Sequence, residues 1–318
     1  MQTLAHYRQP DNRRAITEIA LTAIPFAGLW VLMAMLASIS PWLSLLLAIP
    51  AAGLMVRLFM IQHDCGHGSM FSSRRANEWV GRVLGILTFT PYDFWRRSHA
   101  LHHAGSGNLD RRGIGDIDTL TVREYQERSA FGRWCYRTYR HPLVMFGIGP
   151  AYLFLLQQRL PFGAMTQGAM PWASTMLTNL GIAVLSALLI YALGAVSFLA
   201  IHLPIVLIGA SIGVWLFYVQ HQFEHTSWEH GAQWTHDAAA LHGSSFYDLP
   251  KPLMWLTGNI GIHHLHHLSS RIPFYRLPDV LTDHPELRNI GRITLWQSLK
   301  CVRLSLWDED RKVLVPFV

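Results

Sequence analysis

The chain has 318 residues and a net charge of +6; 51% of it is hydrophobic and only 14% is charged. With a mean hydropathy of +0.20, it is too apolar and too poor in charge for an ordinary soluble domain. The basic excess comes with no RNA- or DNA-binding motif, and Cys65, Cys135 and Cys301 form no CxxC pair, so nucleic acid and a disulfide framework are both excluded.

Residues 16–61 contain one basic residue, Arg57, and one acid, Glu18, and residues 175–219 contain no Lys, Arg, Asp or Glu. A bilayer core of about 30 Å takes about 20 apolar residues as helix, so each stretch holds two crossings. The pattern predicts spans at 17–38, 41–61, 179–201 and 204–224, joined by short links at 38–41 and 202–204. The polar run through Glu18 and the full-length apolar segment behind it read as a retained crossing, not a cleaved signal. Pro25, Pro50 and Pro204 read as helix starts or kinks. Arg57, in the last turns of the second span, reads as a snorkelling side chain.

The second span closes on His63-Asp64-Cys65-Gly66-His67, an HxxxH pattern. Residues 76–90 are apolar but too short to cross; Trp79, Tyr92, Trp95 and Arg96 flank them, which suits an interfacial or re-entrant helix. The HxxHH pattern His99-Ala100-Leu101-His102-His103 follows. The 105–140 segment is the most polar part, with a turn-like GSGNLDRRGIGDID run and a helix expected over 122–139. Residues 142–156 form a second short apolar stretch. Past the second hairpin come His221-Gln222-Phe223-Glu224-His225 and then His263-His264-Leu265-His266-His267, a second HxxHH. RIPFYRLP is a proline-broken loop. The division expected is a membrane unit, 1–278, and a cytoplasmic C-terminal tail, 279–318.

Neither link carries Lys or Arg, whereas 62–174 and 226–318 are rich in Arg. The positive-inside rule then puts both termini, the central segment and all four histidine clusters on the cytoplasmic side, where the basic surface meets anionic headgroups. The fold class is therefore all-α and integral to a membrane: four transmembrane helices in two hairpins, with a cytoplasmic helical cap carrying the histidines.

Eleven of the eighteen histidines lie in these clusters. Neutral imidazole suits Zn, Cu, Fe and Ni. Helical residues four apart share a face, so His63/His67 and His221/His225 can each offer two imidazoles to one site. HxxHH adds a third, and its adjacent pairs, His102/His103 and His266/His267, diverge by about 100° and can reach neighbouring ions. Eight histidines exceed the four ligands of one tetrahedral zinc, which points to two metals. His264 sits at the edge of its helical face and reads as a neighbour of the ligands. Asp64, Glu224, Asp110, Asp116, Asp118 and Asn259 are candidates to hold a ligating ring. His6, His141, His202, His230, His236, His242 and His284 are isolated. No Glu-x-x-His pair links the chain to soluble di-iron carboxylate bundles.

HDCGHGSMF at 63–71, WRRSHALHH at 95–103 and GNIGIHHLHH at 258–267 resemble the three histidine boxes of membrane fatty acid desaturases. HQFEHTSW at 221–228 and GDIDTLTVREY at 115–125 make the acyl-lipid Δ12/ω6-like branch the closer match. The resemblance implies O2-dependent dehydrogenation of a lipid-linked acyl chain at a centre of two iron ions. It makes His63, His67, His99, His102, His103, His263, His266 and His267 iron ligands. His225 corresponds to a further ligand at the end of the last span in the acyl-CoA relatives, and His221 falls where those relatives carry an asparagine near the metal. An external donor, ferredoxin or a cytochrome b5, is implied, because His141-Pro142 and His284-Pro285 lack the Gly-Gly of a cytochrome b5 haem motif. Apolar walls around 84–89 and 145–154 are expected to set double-bond position. If bacterial, the protein belongs in the inner membrane. The rival readings are a hydroxylase or ketolase of the same superfamily, an intramembrane zinc protease using His63, His67 and Asp64, and a histidine-rich metal transporter.

Overall fold

The computed structural model describes residues 2–37, 39–162 and 166–317. Ser38, in the first expected link, lies outside them. After a 3-10 turn at Gln2–Arg8, the chain forms a hairpin of α1 (Asn12–Ala37) and α2 (Pro41–His67), then α3 (Arg74–Leu87) and α4 (Tyr92–Gly105). The polar centre holds α5 (Val122–Glu127) and α6 (Ala130–Arg140), and a π-helical turn at Val144–Ile148 leads into α7 (Gly149–Leu155). A second hairpin pairs α8 (Ala169–Leu193) with α9 (Ala195–His221). Five short helices follow: α10 (His236–His242), α11 (Lys251–Leu256), α12 (His263–Leu268), α13 (Leu277–Asp283) and α14 (Leu295–Cys301).

Helices α1, α2, α8 and α9 are each long and apolar enough to cross a membrane, which makes the fold all-α and membrane-integral. Helix α2 continues beyond the expected end at 61 to His67, carrying its two histidines out past the apolar stretch. The second hairpin turns at Gly194 instead of 202–204. Gly194 takes φ +78, a left-handed conformation open to glycine, and ends α8 while it starts α9. Pro204 then sits inside α9, as Pro25 and Pro50 sit inside α1 and α2. The expected 122–139 helix is split: Arg128 is extended, and the Ser129 hydroxyl accepts the Gly132 N–H at 3.1 Å to start α6 anew.

Among the described residues, five short strands join segments outside the long helices: β1 (Leu120–Thr121), β2 (Phe246–Asp248), β3 (Arg292–Thr294), β4 (Leu306–Asp308) and β5 (Val313–Val315). β1 runs parallel to β4, β4 antiparallel to β5, and β2 parallel to β3. The segment after α13 is thus woven into earlier parts of the chain, with Leu306 and Trp307 buried.

Helices α2 and α9 run side by side in the same direction. A Cβ on Gly209 would stand 2.5 Å from Met55 Cε and 3.6 Å from the Ala52 carbonyl oxygen, so the helices approach closely there and a larger residue would have to move the Met55 methyl. Small residues at such contacts let helices approach where lipid supplies no hydrophobic drive. Parallel packing brings His63, His67 and His221 to one end. Helix α4 joins them: Tyr92 covers Gly81 of α3 and donates its hydroxyl to the Cys65 carbonyl at 2.8 Å.

Arg57 does not snorkel. Its guanidinium is buried against the Glu18 carboxylate of α1, donates to Thr22 Oγ1 at 3.2 Å and to the Trp255 carbonyl, and lies 4.1 Å from the Trp255 ring centroid. The partner stands 39 residues earlier, so α1 neutralises a charge that α2 alone would have to carry to the surface. Glu18→Gln should leave Arg57 buried and unpaired and cost about 3–5 kcal/mol, while Glu18→Gln with Arg57→Met should recover most of it. Thermal unfolding in detergent reads both; a double variant no more stable than Glu18→Gln alone would contradict the pairing.

Candidate metal centre

Nine imidazoles converge where α2, α4, α9 and α12 end or begin. His63 and His67 of α2, His99 and His103 of α4, and His266 of α12 form one group. His102 of α4, His221 of α9, and His263 and His267 of α12 form the second. Within each, the nitrogens that could bind a metal lie within 4.8 Å of one another. The i,i+4 pairs 63/67, 99/103 and 263/267 each serve one group. The adjacent pairs 102/103 and 266/267 are split between the two, as a 100° step per residue requires.

In the first group, Nε2 of His99 lies 3.0 Å from that of His63, 3.1 Å from that of His67 and 3.1 Å from that of His103; His266 and His103 are 3.2 Å apart. In the second, His221 Nε2 is 3.2 Å from that of His102 and 3.1 Å from that of His263, and His267 and His263 are 3.0 Å apart. Two nitrogens about 2.1 Å from one cation lie about 3.0 Å apart at a right angle and about 3.4 Å apart at the tetrahedral angle. The observed edges match ligands around a shared ion.

The outer nitrogens explain the orientation. His221 Nδ1 faces the Gly243 carbonyl at 3.4 Å, which can only accept, so Nδ1 carries the proton and Nε2 turns a lone pair inward. His102 Nδ1 is 2.5 Å from Asp116 Oδ1, and His63 Nδ1 is 3.2 Å from Asp64 Oδ1. Asp64 is itself fixed by the Phe274 N–H at 2.6 Å. Burial above all, and then neighbouring imidazoles, holds His99, His103, His263, His266 and His267 well below the ordinary imidazole pKa, hence in the neutral form that binds metal. Trp95 stacks on His99 at 4.7 Å, and Phe217 lies 5.1 Å from both His102 and His221. Neither aromatic was singled out from the sequence as a site residue, although Phe217 stands one helical turn before His221.

His225 is exposed and belongs to neither group. Helix α9 ends at His221, and Gln222 (φ −114, ψ 77) turns the chain away, so the i,i+4 relation assumed for 221 and 225 does not exist. The structure places His221 in the second imidazole group instead. His264 is buried with Nε2 3.1 Å from the Leu287 carbonyl oxygen, its pKa pushed down to about 4 by burial, and it also lies outside both groups. Glu224 is exposed. The Asn259 side chain donates to the Phe274 carbonyl at 3.2 Å, bracing the loop that grips Asp64. Asp110 pairs with His230 at 2.7 Å, and Asp118 offers its carbonyl to Arg140 at 3.1 Å, both apart from the imidazole groups. The seven isolated histidines stay outside the two groups.

Four spanning helices, two of which (α2 and α9) meet α4 and α12 in paired imidazole groups at one end, define a histidine-cluster integral membrane enzyme. The profile described as "Fatty acid desaturase" matches residues 40–296. The chain is 46% identical over 314 residues to a fatty acid desaturase of Bacillus subtilis, covering 99% of this chain and 89% of that one. It is 26% identical over 294 residues to the sn-1 oleoyl-lipid 12-desaturase of Anabaena variabilis, covering 85% and 75%. It is 30% identical over 236 residues to the sn-1 acyl-lipid omega-3 desaturase (ferredoxin) of Synechocystis, covering 69% of this chain and 61% of that protein. The chain belongs to the fatty acid desaturase family, and its activity is the desaturation of fatty acyl chains.

His221→Ala should lower the metal bound per chain, measured by mass spectrometry of the purified protein, whereas His225→Ala should leave it unchanged. Asp116→Asn, which loosens His102 without removing a ligand, should weaken metal binding about 10- to 100-fold; unaltered affinity would show that the carboxylate does not orient the ring.

Proposed function

We propose that the two imidazole groups hold two iron ions and that the protein uses O2 to desaturate a lipid-linked acyl chain. The observation that carries this reading is the pair of all-nitrogen groups, in each of which the candidate ligand atoms lie within 4.8 Å of one another. Bound there, the irons would supply the reduction of O2 that takes one hydrogen from each of two adjacent methylenes, chemistry that belongs to the cofactor. The overall balance is O2, two electrons, two protons and –CH2–CH2– giving –CH=CH– and two waters.

The residues of the chain do the rest. Asp64, Asp116 and the Gly243 carbonyl keep three rings in the ligating tautomer. Trp95 and Phe217 hold ring planes and keep the neighbourhood apolar. An acyl chain has no polar handle at the reacting carbons, so its position depends on wall shape. Our reading takes the buried Leu84 and Met145 as parts of those walls, within 84–89 and 145–154. The electrons come from an external ferredoxin or cytochrome b5, in line with the ferredoxin named for the Synechocystis relative.

The orientation proposed has both termini and the histidine end in the cytoplasm, in a bacterium at the inner membrane. Basic residues gathered on that side and absent from the short links support it. Exposed Trp42 and Tyr191, near the opposite ends of α2 and α8, suit the far interface. Within this frame 1–278 is the membrane unit and 279–318 a cytoplasmic tail that folds back on it, β3 pairing with β2 and β4 with β1.

Fatty acids from a host expressing the protein, analysed by gas chromatography with mass spectrometry, should include a species two hydrogens lighter than its saturated parent, and His266→Ala should abolish it while the protein still inserts. An oxygenated product would instead make the enzyme a hydroxylase or ketolase.

A further inference from the structure

The two imidazole groups differ in depth. His102, His221, His263 and His267 are all buried, whereas His67, His99 and His103 are only partly buried. Electrons delivered from outside therefore meet the first group first. A surface cleft opens beside it, floored by His67 and walled by Arg74, Glu78, Arg96 and Arg271.

Its charge is one-sided. Glu78 answers Arg74 at 2.8 Å and stands 3.9 Å from Arg96, so one carboxylate serves two guanidiniums. Arg271 is exposed and has no ion-pair partner among the described residues. The cleft also faces away from lipid. Trp79 and Val83 of α3 are 65% and 56% exposed, and they lie roughly 140° around the helix from Arg74 and Glu78. With the apolar pair in the membrane surface, the arginine wall opens toward water, which favours a soluble acidic protein over a lipid headgroup.

We propose that this cleft is the docking surface for an acidic one-electron carrier protein, and that His67 is the ligand edge nearest the docked carrier. The proposal rests on the reading that an external carrier supplies the electrons. Two carriers dock in turn, each giving one electron. With two protons from water and two hydrogens from the acyl chain, those electrons reduce O2 to two waters. Positive charge around the entry point steers such a partner, and its effect fades as salt rises.

The test uses the iron-loaded full chain in detergent and a plant-type [2Fe–2S] ferredoxin. Two quantities are followed: the Kd of the complex, and the KM for ferredoxin during desaturation. Arg271→Glu and Arg96→Glu should each raise both about tenfold and flatten their salt dependence, with Arg271→Gln intermediate. Turnover driven by dithionite and binding to phosphatidylglycerol vesicles should not move. Arg133→Glu, on α6 away from the cleft, should change none of these. The proposal is overturned if the unaltered protein binds no ferredoxin, if the cleft variants leave Kd unchanged, or if Arg133→Glu matches them. Weakened vesicle binding with ferredoxin binding intact also overturns it and assigns the cleft to a headgroup. Loss of dithionite-driven desaturation in the unaltered protein would count against the desaturase reading instead, and the Kd would still test the docking surface.

Discussion

Nine imidazoles face one another in two groups, with their ring nitrogens turned together. A neutral imidazole has one N–H and one lone pair, and the outer nitrogens of His63, His102 and His221 face Asp64, Asp116 and the Gly243 carbonyl. Their inner nitrogens are left as lone pairs 3.0–3.2 Å from other ring nitrogens. A buried acceptor left unsatisfied costs about 1–3 kcal/mol, and a cation between several of them answers them together. The rest of the fold serves to hold those rings in place.

That requirement accounts for features that are otherwise unconnected. Parallel α2 and α9, in contact at Gly209, put the first box and His221 at one level. The Ser245 carbonyl accepts the N–H groups of His263 and His264 at 3.2 Å each, and the Ser245 N–H donates to the Gln220 carbonyl at 2.9 Å, so the start of α12 is fastened to the end of α9. The buried Arg57–Glu18 pair acts at longer range. Arg57 lies 5.2 Å from the Phe274 ring, and the Phe274 N–H grips Asp64, which faces His63. A charge pair that joins α1 to α2 is thereby continuous with the ligand shell.

Much of this was legible in the sequence because spacing on a helix is a rigid code. The 63/67, 99/103 and 263/267 pairs and the divergence of 102 from 103 follow from 3.6 residues per turn, and the two uncharged stretches mark the spans without ambiguity of type. Two differences share one cause: local pattern does not reveal where a helix stops. Reading 221–225 as helical made His225 a ligand, but α9 ends at His221. Likewise the second link is expected at 202–204, whereas Gly194 makes the turn. Arg57 was misread for a different reason, since its neutralising partner lies on another helix and no spacing rule connects them.

Iron K-edge X-ray absorption on the iron-loaded protein tests the paired-imidazole centre most directly. A first shell of nitrogen, with outer-shell scattering from four to five imidazoles per iron averaged over two irons, is the predicted result. A sulfur shell, a shell dominated by carboxylate oxygen, or fewer than three imidazoles per iron would contradict it.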